Sequence, residues 1–202
     1  WTDQSPKGEM HSMGVDVARG GKDYTVIAPR HGNWYDRLVK VPGKDTPSGQ
    51  HVVGQVVAVR RNSCPVHIDV IGVGASPYDV LRGSNIDVHG VNVAEAATTR
   101  DKSGRLGFFN LRSQLIWKLR EDLDPQNDTG MALPPDKELL AEMCAPKWSM
   151  SGYTIKVESR DEIVKRVGRS PDRLTAVTLA NMDLPKRAAL AAANNRRTVD
   201  EY

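Results

Sequence analysis

At 202 residues, with 39% hydrophobic and 26% charged residues, the chain is long enough for one domain with a substantial core and has the balance of a soluble globular protein. No apolar run approaches membrane-spanning length and no signal peptide opens the sequence, which argues against a helical membrane protein. The net charge of +3 is mild and does not by itself demand a nucleic-acid partner.

The chain opens at Trp1, without Met, and passes through a polar stretch. It reads as a fragment or processed chain, with room for a separate domain before it. Residues 1–12 are expected to be a flexible leader. Met13 to Ala18 reads as a strand, Gly20-Gly21-Lys22-Asp23 as a turn, and Tyr24 to Ala28 as the returning strand of a hairpin. Trp34 to Val41 fits a third strand, completing an antiparallel meander. From Pro47 to Asn62, Val52, Val53, Val56, Val57 and Val59 have helical spacing, with Ser48 as candidate cap. Val66 to Val70 reads as a central strand covered on both faces. After a glycine-rich turn, Ser76 and Pro77 are expected to cap and open a helix. Asp87 to Val93 is another strand. Phe109 to Leu123 is an amphipathic helix through Leu111, Leu115, Ile116, Leu119 and Leu123. Met131 to Leu133 is strand-like, Asp136 to Met143 a short helix, Tyr153 to Val157 a strand, and Ser159 to Val167 a basic helix. Ser170-Pro171-Asp172 starts the last firm helix, through Met182. The Ala-rich, basic tail at 184–202 reads as a loose helix or disorder. A meander followed by βαβ units predicts an α/β fold with one mixed central sheet flanked by helices, spanning 13–183.

Cys64 and Cys144 lack metal-site spacing, so a reduced, intracellular protein is the default, with a disulfide left open. The carboxylates are more informative. Asp16 and Asp69 each sit in a run of Val and Ile where it ends or breaks into glycine. A carboxylate there is costly to bury unless its charge is compensated. Either acid could simply bind its turn backbone. Together, on strands that can lie side by side, they favour a shared ligand, because strand carboxyl ends are where open α/β sheets bind ligands. Asp172, in the first turn of the last helix, could merely complement the helix dipole. Joined to the other two it makes an all-oxygen site suited to Mg²⁺ or Mn²⁺. Two such ions about 4 Å apart can activate water and stabilise the leaving oxygen of a phosphodiester.

Gly14-Val15-Asp16 with its Gly-Gly turn, Ile68-Asp69-Val70-Ile71-Gly72-Val73-Gly74, and Lys156-Val157-Glu158-Ser159-Arg160-Asp161-Glu162-Ile163 leading to Gly168-Arg169-Ser170-Pro171-Asp172-Arg173 occur in an order that resembles the nuclease domain of the large terminase subunit of tailed bacteriophages and prophages. Phe109-Asn110-Leu111-Arg112 and Leu133-Pro134-Pro135-Asp136 also fit. The resemblance spans roughly residues 12–182. It implies a ribonuclease-H-like fold, metal-dependent cleavage of concatemeric viral DNA during packaging, and an acidic triad at Asp16, Asp69 and Asp172 holding two Mg²⁺ or Mn²⁺ ions. It also implies a packaging ATPase domain outside this chain, the small terminase subunit and the capsid portal as partners, and the cytoplasm of the infected bacterium as location. Gly20-Gly21-Lys22-Asp23 fails the phosphate-loop pattern, which needs Ser or Thr after the Lys, and no ATPase motif occurs.

One departure stands out. Relatives often carry an acid three residues beyond the position of Asp172, where this chain has Thr175. That puts metal affinity or activity in doubt. Glu95 is a candidate accessory group or a solvated loop acid, and Asp23 reads as structural. For duplex DNA, Arg19, Lys22, Arg160, Lys165, Arg166, Arg169 and Arg173 are candidate phosphate contacts, with Lys156 nearby, although an ordinary solvated helix face explains such a set equally well. Two alternatives keep the fold or the partners but differ in activity. One is a Holliday-junction resolvase or integrase-like core, and the other a non-catalytic portal-docking module.

Overall fold

The computed structural model describes residues 1–18 and 23–182. Strands are β1 (Ser12–Asp16), β2 (Tyr24–His31), β3 (Trp34–Tyr35), β4 (Val39–Pro42), β5 (Val66–Asp69), β6 (Val88–Val91), β7 (Gly107–Phe108), β8 (Trp148–Ser151) and β9 (Thr154–Val157). Helices are α1 (Gly49–Val59), α2 (Ala75–Gly83), α3 (Leu111–Leu123), α4 (Lys137–Cys144), α5 (Arg160–Val167) and α6 (Asp172–Ala180). No helix among the described residues is long and apolar enough to cross a membrane.

The main sheet runs β3-β2-β1-β5-β6, with β4 also on β2. β1 is antiparallel to β2 and parallel to β5, and β5 is parallel to β6. Side chains alternate between the faces of a strand, and this parity decides what α6 meets. Met13, Val15, Val66 and Ile68 pack with Val52 and Val56 of α1 and Leu81 of α2 on one face. Ser12, Gly14 and Asp16, and likewise His67 and Asp69, take the opposite parity. On that side Ser12 donates to the Ala180 carbonyl at 2.7 Å. A Cβ on Gly14 would lie 2.0 Å from the Ala176 carbonyl oxygen. Only a residue without a side chain permits so close a helix. Every residue of α6 is buried, as expected for a helix enclosed by the sheet on one side and by α3 and α4 on the other.

Five expectations are corrected. The third strand is interrupted at Asp36–Leu38, where Leu38 turns into the core, though both halves pair with β2. The sheet is not single: β9 joins β7 and β8 in a separate three-stranded sheet over Trp117 of α3. Ser76 is no cap, because α2 starts at Ala75 after a 3-10 turn at Gly72–Gly74; Pro77 still falls in the first turn, where its missing N–H costs nothing. Met131–Leu133 contributes only one bridge, Trp34 to Ala132. Ser48 does precede α1, but its hydroxyl bonds His51 Nδ1 at 2.8 Å rather than the backbone. The expected leader carries contacts of its own: the Thr2 amide donates to Leu133, and Met10 is buried with its amide on Asn62 Oδ1. The tail at 184–202 lies outside the described residues.

Candidate active site

β1 and β5 are parallel neighbours with Val15 opposite Ile68, so Asp16 and Asp69 end adjacent strands at the same sheet edge. α6 runs across that face and begins at Asp172 there, and Asp172 Oδ2 accepts the Tyr24 amide at 3.1 Å. All three acids line one cleft of about 540 Å³. Asp69 Oδ1 accepts the Ile71 amide at 2.9 Å.

The electrostatics single out Asp16. Burial, then the charges of Asp172 and Asp69, push its carboxyl well above the usual range, while Arg160 and Arg112 pull it down. Asp69 is also raised by burial, against the Ile71 amide, Arg112 and Arg160. Asp16 therefore stands between two like charges in a partly dry cleft. Among the described residues, no three His, Cys, Asp or Glu side chains form a ready-made metal cage. The donor set still suits a hard divalent cation. It is all carboxylate oxygen, its like charges are incompletely relieved, and Mg²⁺ characteristically leaves much of its coordination to water and substrate phosphate.

Thr175 lines the same cleft one turn along α6, its hydroxyl donating to the Pro171 carbonyl at 3.1 Å. Asp23 lies at the rim, paired with Arg160 at 2.9 Å. Glu95 is exposed on the loop after β6, where its carbonyl accepts the Leu111 amide. Of the expected phosphate contacts, Arg160 lines the cleft. Lys165 and Arg169 are exposed on and just beyond α5. Arg166 is tied to Glu158 and to the Ala145 carbonyl, the latter at 2.6 Å. Arg19 and Lys22 lie outside the described residues. Lys156 sits over the Phe109 ring at 5.0 Å.

Arg173 is a correction. It is buried, with Nη1 on Glu142 Oε1 at 2.7 Å, Nη2 on Glu138, and Nε 3.7 Å from Asp136. Three carboxylates engage it, so it braces α6 against α4 instead of facing DNA. The same cluster corrects the helix start. Pro171, not Ser170, occupies the N-cap, and Pro has no capping side chain. Glu142 serves instead, accepting the amides of Arg173 and Leu174 at 2.8 and 3.1 Å.

Sequence reasoning missed Arg112 as a site residue, yet it lines the cleft and acts on both Asp16 and Asp69. Its signal was an arginine three and four residues before Leu115 and Ile116, on the apolar stripe of an amphipathic helix.

The mixed sheet with helices on both faces is a ribonuclease-H-like arrangement. No protein-family model matches the sequence, and no curated protein matches it. Solved structures do. The nuclease domain of the large terminase subunit gp2 of bacterial virus Sf6 is similar at TM-score 0.69 and 16% identity, over 91% of this chain and 92% of that one. The large terminase nuclease from thermophilic phage G20c, solved with bound magnesium, gives 0.59 and 17% over 87% and 82%. The Thermus phage P74-26 large terminase nuclease domain gives 0.57 and 15% over 85% and 78%. At these identities the likeness establishes a shared fold.

Proposed function

We propose that this chain is the nuclease domain of a phage large terminase subunit: a metal-dependent endonuclease that cuts concatemeric double-stranded viral DNA during genome packaging. The observation that carries the reading is the convergence of Asp16, Asp69 and Asp172, from β1, β5 and α6, on one cleft that also holds Arg112 and Arg160. Shared fold with terminase nucleases supports it.

The three aspartates would hold two Mg²⁺ or Mn²⁺ ions, which supply a nucleophilic water and neutralise charge at the phosphate. The remaining chemistry belongs to the chain. The Ile71 and Tyr24 amides fix one oxygen each of Asp69 and Asp172, and the other oxygens would be the metal ligands. Water oxygen bonds to phosphorus, one phosphorus–ester bond breaks, and water's proton is lost while the departing oxygen gains one. A phosphate monoester end and a hydroxyl end result. Arg160, Lys165 and Arg169 would contact backbone phosphates, supplying sequence-independent affinity. Arg19 and Lys22 would add further phosphate contacts.

On this reading residues 13–183 form the nuclease unit of a longer protein with an amino-terminal packaging ATPase. It would work with the small terminase subunit and the portal in the cytoplasm of the infected bacterium.

Plasmid nicking with Mn²⁺ or Mg²⁺, wild type against Asp69→Ala, is the test. Cleavage that needs metal and is lost in the variant supports the reading. Cleavage retained by Asp69→Ala sinks the assigned site, and an inert wild type favours the portal-docking module. Preference for branched over linear duplex would instead indicate a junction resolvase.

A further inference from the structure

We propose that Arg112 is a catalytic arginine, its guanidinium binding a non-bridging oxygen of the phosphodiester being cut and stabilising the charge that develops there. This rests on the nuclease reading above. Arg112 is the second residue of α3, just behind the Asn110 cap that accepts the Ser113 amide. Its Nε donates to the Glu158 carbonyl at 3.2 Å, which anchors one edge of the fork. Its Nη2 is buried with no hydrogen-bond partner among the described residues. A buried unmatched donor on a cation is costly, and native proteins retain such a group where something else completes it.

The contrast with Arg173 lies in the charges around it. That arginine is buried and its Nε also lacks a hydrogen bond, but three carboxylates stand within ion-pair range of it. Arg112 has no ion-pair partner among the described residues, although Asp16 and Asp69 are near enough to favour its charge. It lies between acids that need a cation and a cleft that must accept an anion. A guanidinium presents two parallel donors matched to phosphate oxygens, in a fixed plane. Arg160 lines the same cleft but is half-exposed and committed to Asp23. The less exposed arginine therefore suits the reacting phosphate, and the rim arginine a flanking one. In a water-poor site, a preorganised donor of this kind contributes about 10²–10³-fold to kcat.

The test compares wild type, Arg112→Gln and Arg112→Lys. Nicking is measured at saturating DNA and Mn²⁺. Binding of a short labelled duplex is followed by anisotropy across a salt series, with Ca²⁺ replacing Mn²⁺. Arg112→Gln is expected to lose about 10²–10³-fold in rate, and its plot of log affinity against log salt to flatten by about 0.9, one phosphate contact. A rate restored by more Mn²⁺ would overturn the proposal, because Arg112 would then act only on the carboxylates; so would an unchanged salt slope. Should Arg112→Gln fail to fold, Arg112→Lys decides: it keeps the charge but loses the fork, so a wild-type rate overturns the proposal and a large loss upholds it. If wild type is inert in every metal, the nuclease reading fails and the catalytic role of Arg112 fails with it, whereas cleavage by wild type that Arg112→Gln leaves unchanged overturns the Arg112 proposal alone.

Discussion

Gly14→Ala tests whether packing delivers the third acid to the cleft. A Cβ at residue 14 would meet the Ala176 carbonyl oxygen at 2.0 Å and the Ala180 amide nitrogen at 2.4 Å, whereas ordinary contact begins at 3.4 Å. Both obstacles are backbone, so no side chain can swing aside. The strand and α6 must separate by roughly 1.4 Å, the difference between 3.4 and 2.0 Å. Overpacking of this severity belongs at the upper end of the usual range, about 3 kcal/mol. For a domain of this size, at roughly 2–4 °C per kcal/mol, the melting temperature falls by about 6–12 °C. α6 carries Asp172, so the same retreat moves that acid away from Asp16. A shift of about 1 Å at a reacting centre is worth on the order of 10²-fold in rate. Circular dichroism melts and Mn²⁺-dependent nicking well below the melt measure the two effects. Gly54→Ala is the control: it lies on α1 with open space around its position, and it should stabilise by about 0.5–1 kcal/mol. If Gly14→Ala melts within about 2 °C of wild type and nicks normally, the reasoning from close approach is refuted.

In EDTA, Asp16→Asn should melt above wild type by roughly 2–4 °C, on the order of 1 kcal/mol, while nicking in metal is lost. The sign follows from the raised Asp16 carboxyl: the folded state holds that proton more tightly than the unfolded chain, so wild type loses stability as pH rises through the folded value. The advantage of Asp16→Asn should therefore grow with pH, and a gap independent of pH would contradict the assignment. Glu142→Ala removes the most buried of the three carboxylates on Arg173 and uncaps α6, so urea denaturation should show a loss of about 3–5 kcal/mol, with Glu142→Gln milder. His67 is held neutral, its ring pushed from 6.5 to about 4 first by burial and then by His89. Between those values the unfolded chain binds a proton that the folded one refuses, so stability falls as pH drops, by about 3 kcal/mol in all at 1.36 kcal/mol per unit. His67→Gln should flatten that acid limb in urea midpoints, and an unchanged limb would assign it to other groups.

The sequence made part of this architecture legible because two-residue periodicity is a strong constraint. Val15 and Ile68 had to face one way, so Asp16 and Asp69 had to face the other, and the side-by-side arrangement of their strands was inferable from the order of elements. α6 was visible through its opening at Ser170-Pro171-Asp172, although Pro171 and not Ser170 proved to hold the N-cap. The second sheet was hidden because every residue of β8 is exposed and β7 is only two residues long; neither leaves an apolar pattern. The roles of Arg112 and Arg173 were also invisible, indeed inverted in emphasis. Both are arginines near a helix start, and only tertiary contacts reveal that one is engaged by Glu142, Glu138 and Asp136 while the other lines the cleft without an ion-pair partner among the described residues. Glu142 likewise caps a helix some thirty positions away, a long-range substitution that no local capping pattern encodes.

A helix with no solvent-facing side supplies Asp172. Under the hydrolytic reading, the geometry of the chemistry is then inherited from the interior and cannot be adjusted by surface change alone. Slight loosening between β1 and α6 would silence the cleft while the molecule still looks folded, so heat inactivation should precede the loss of helical signal.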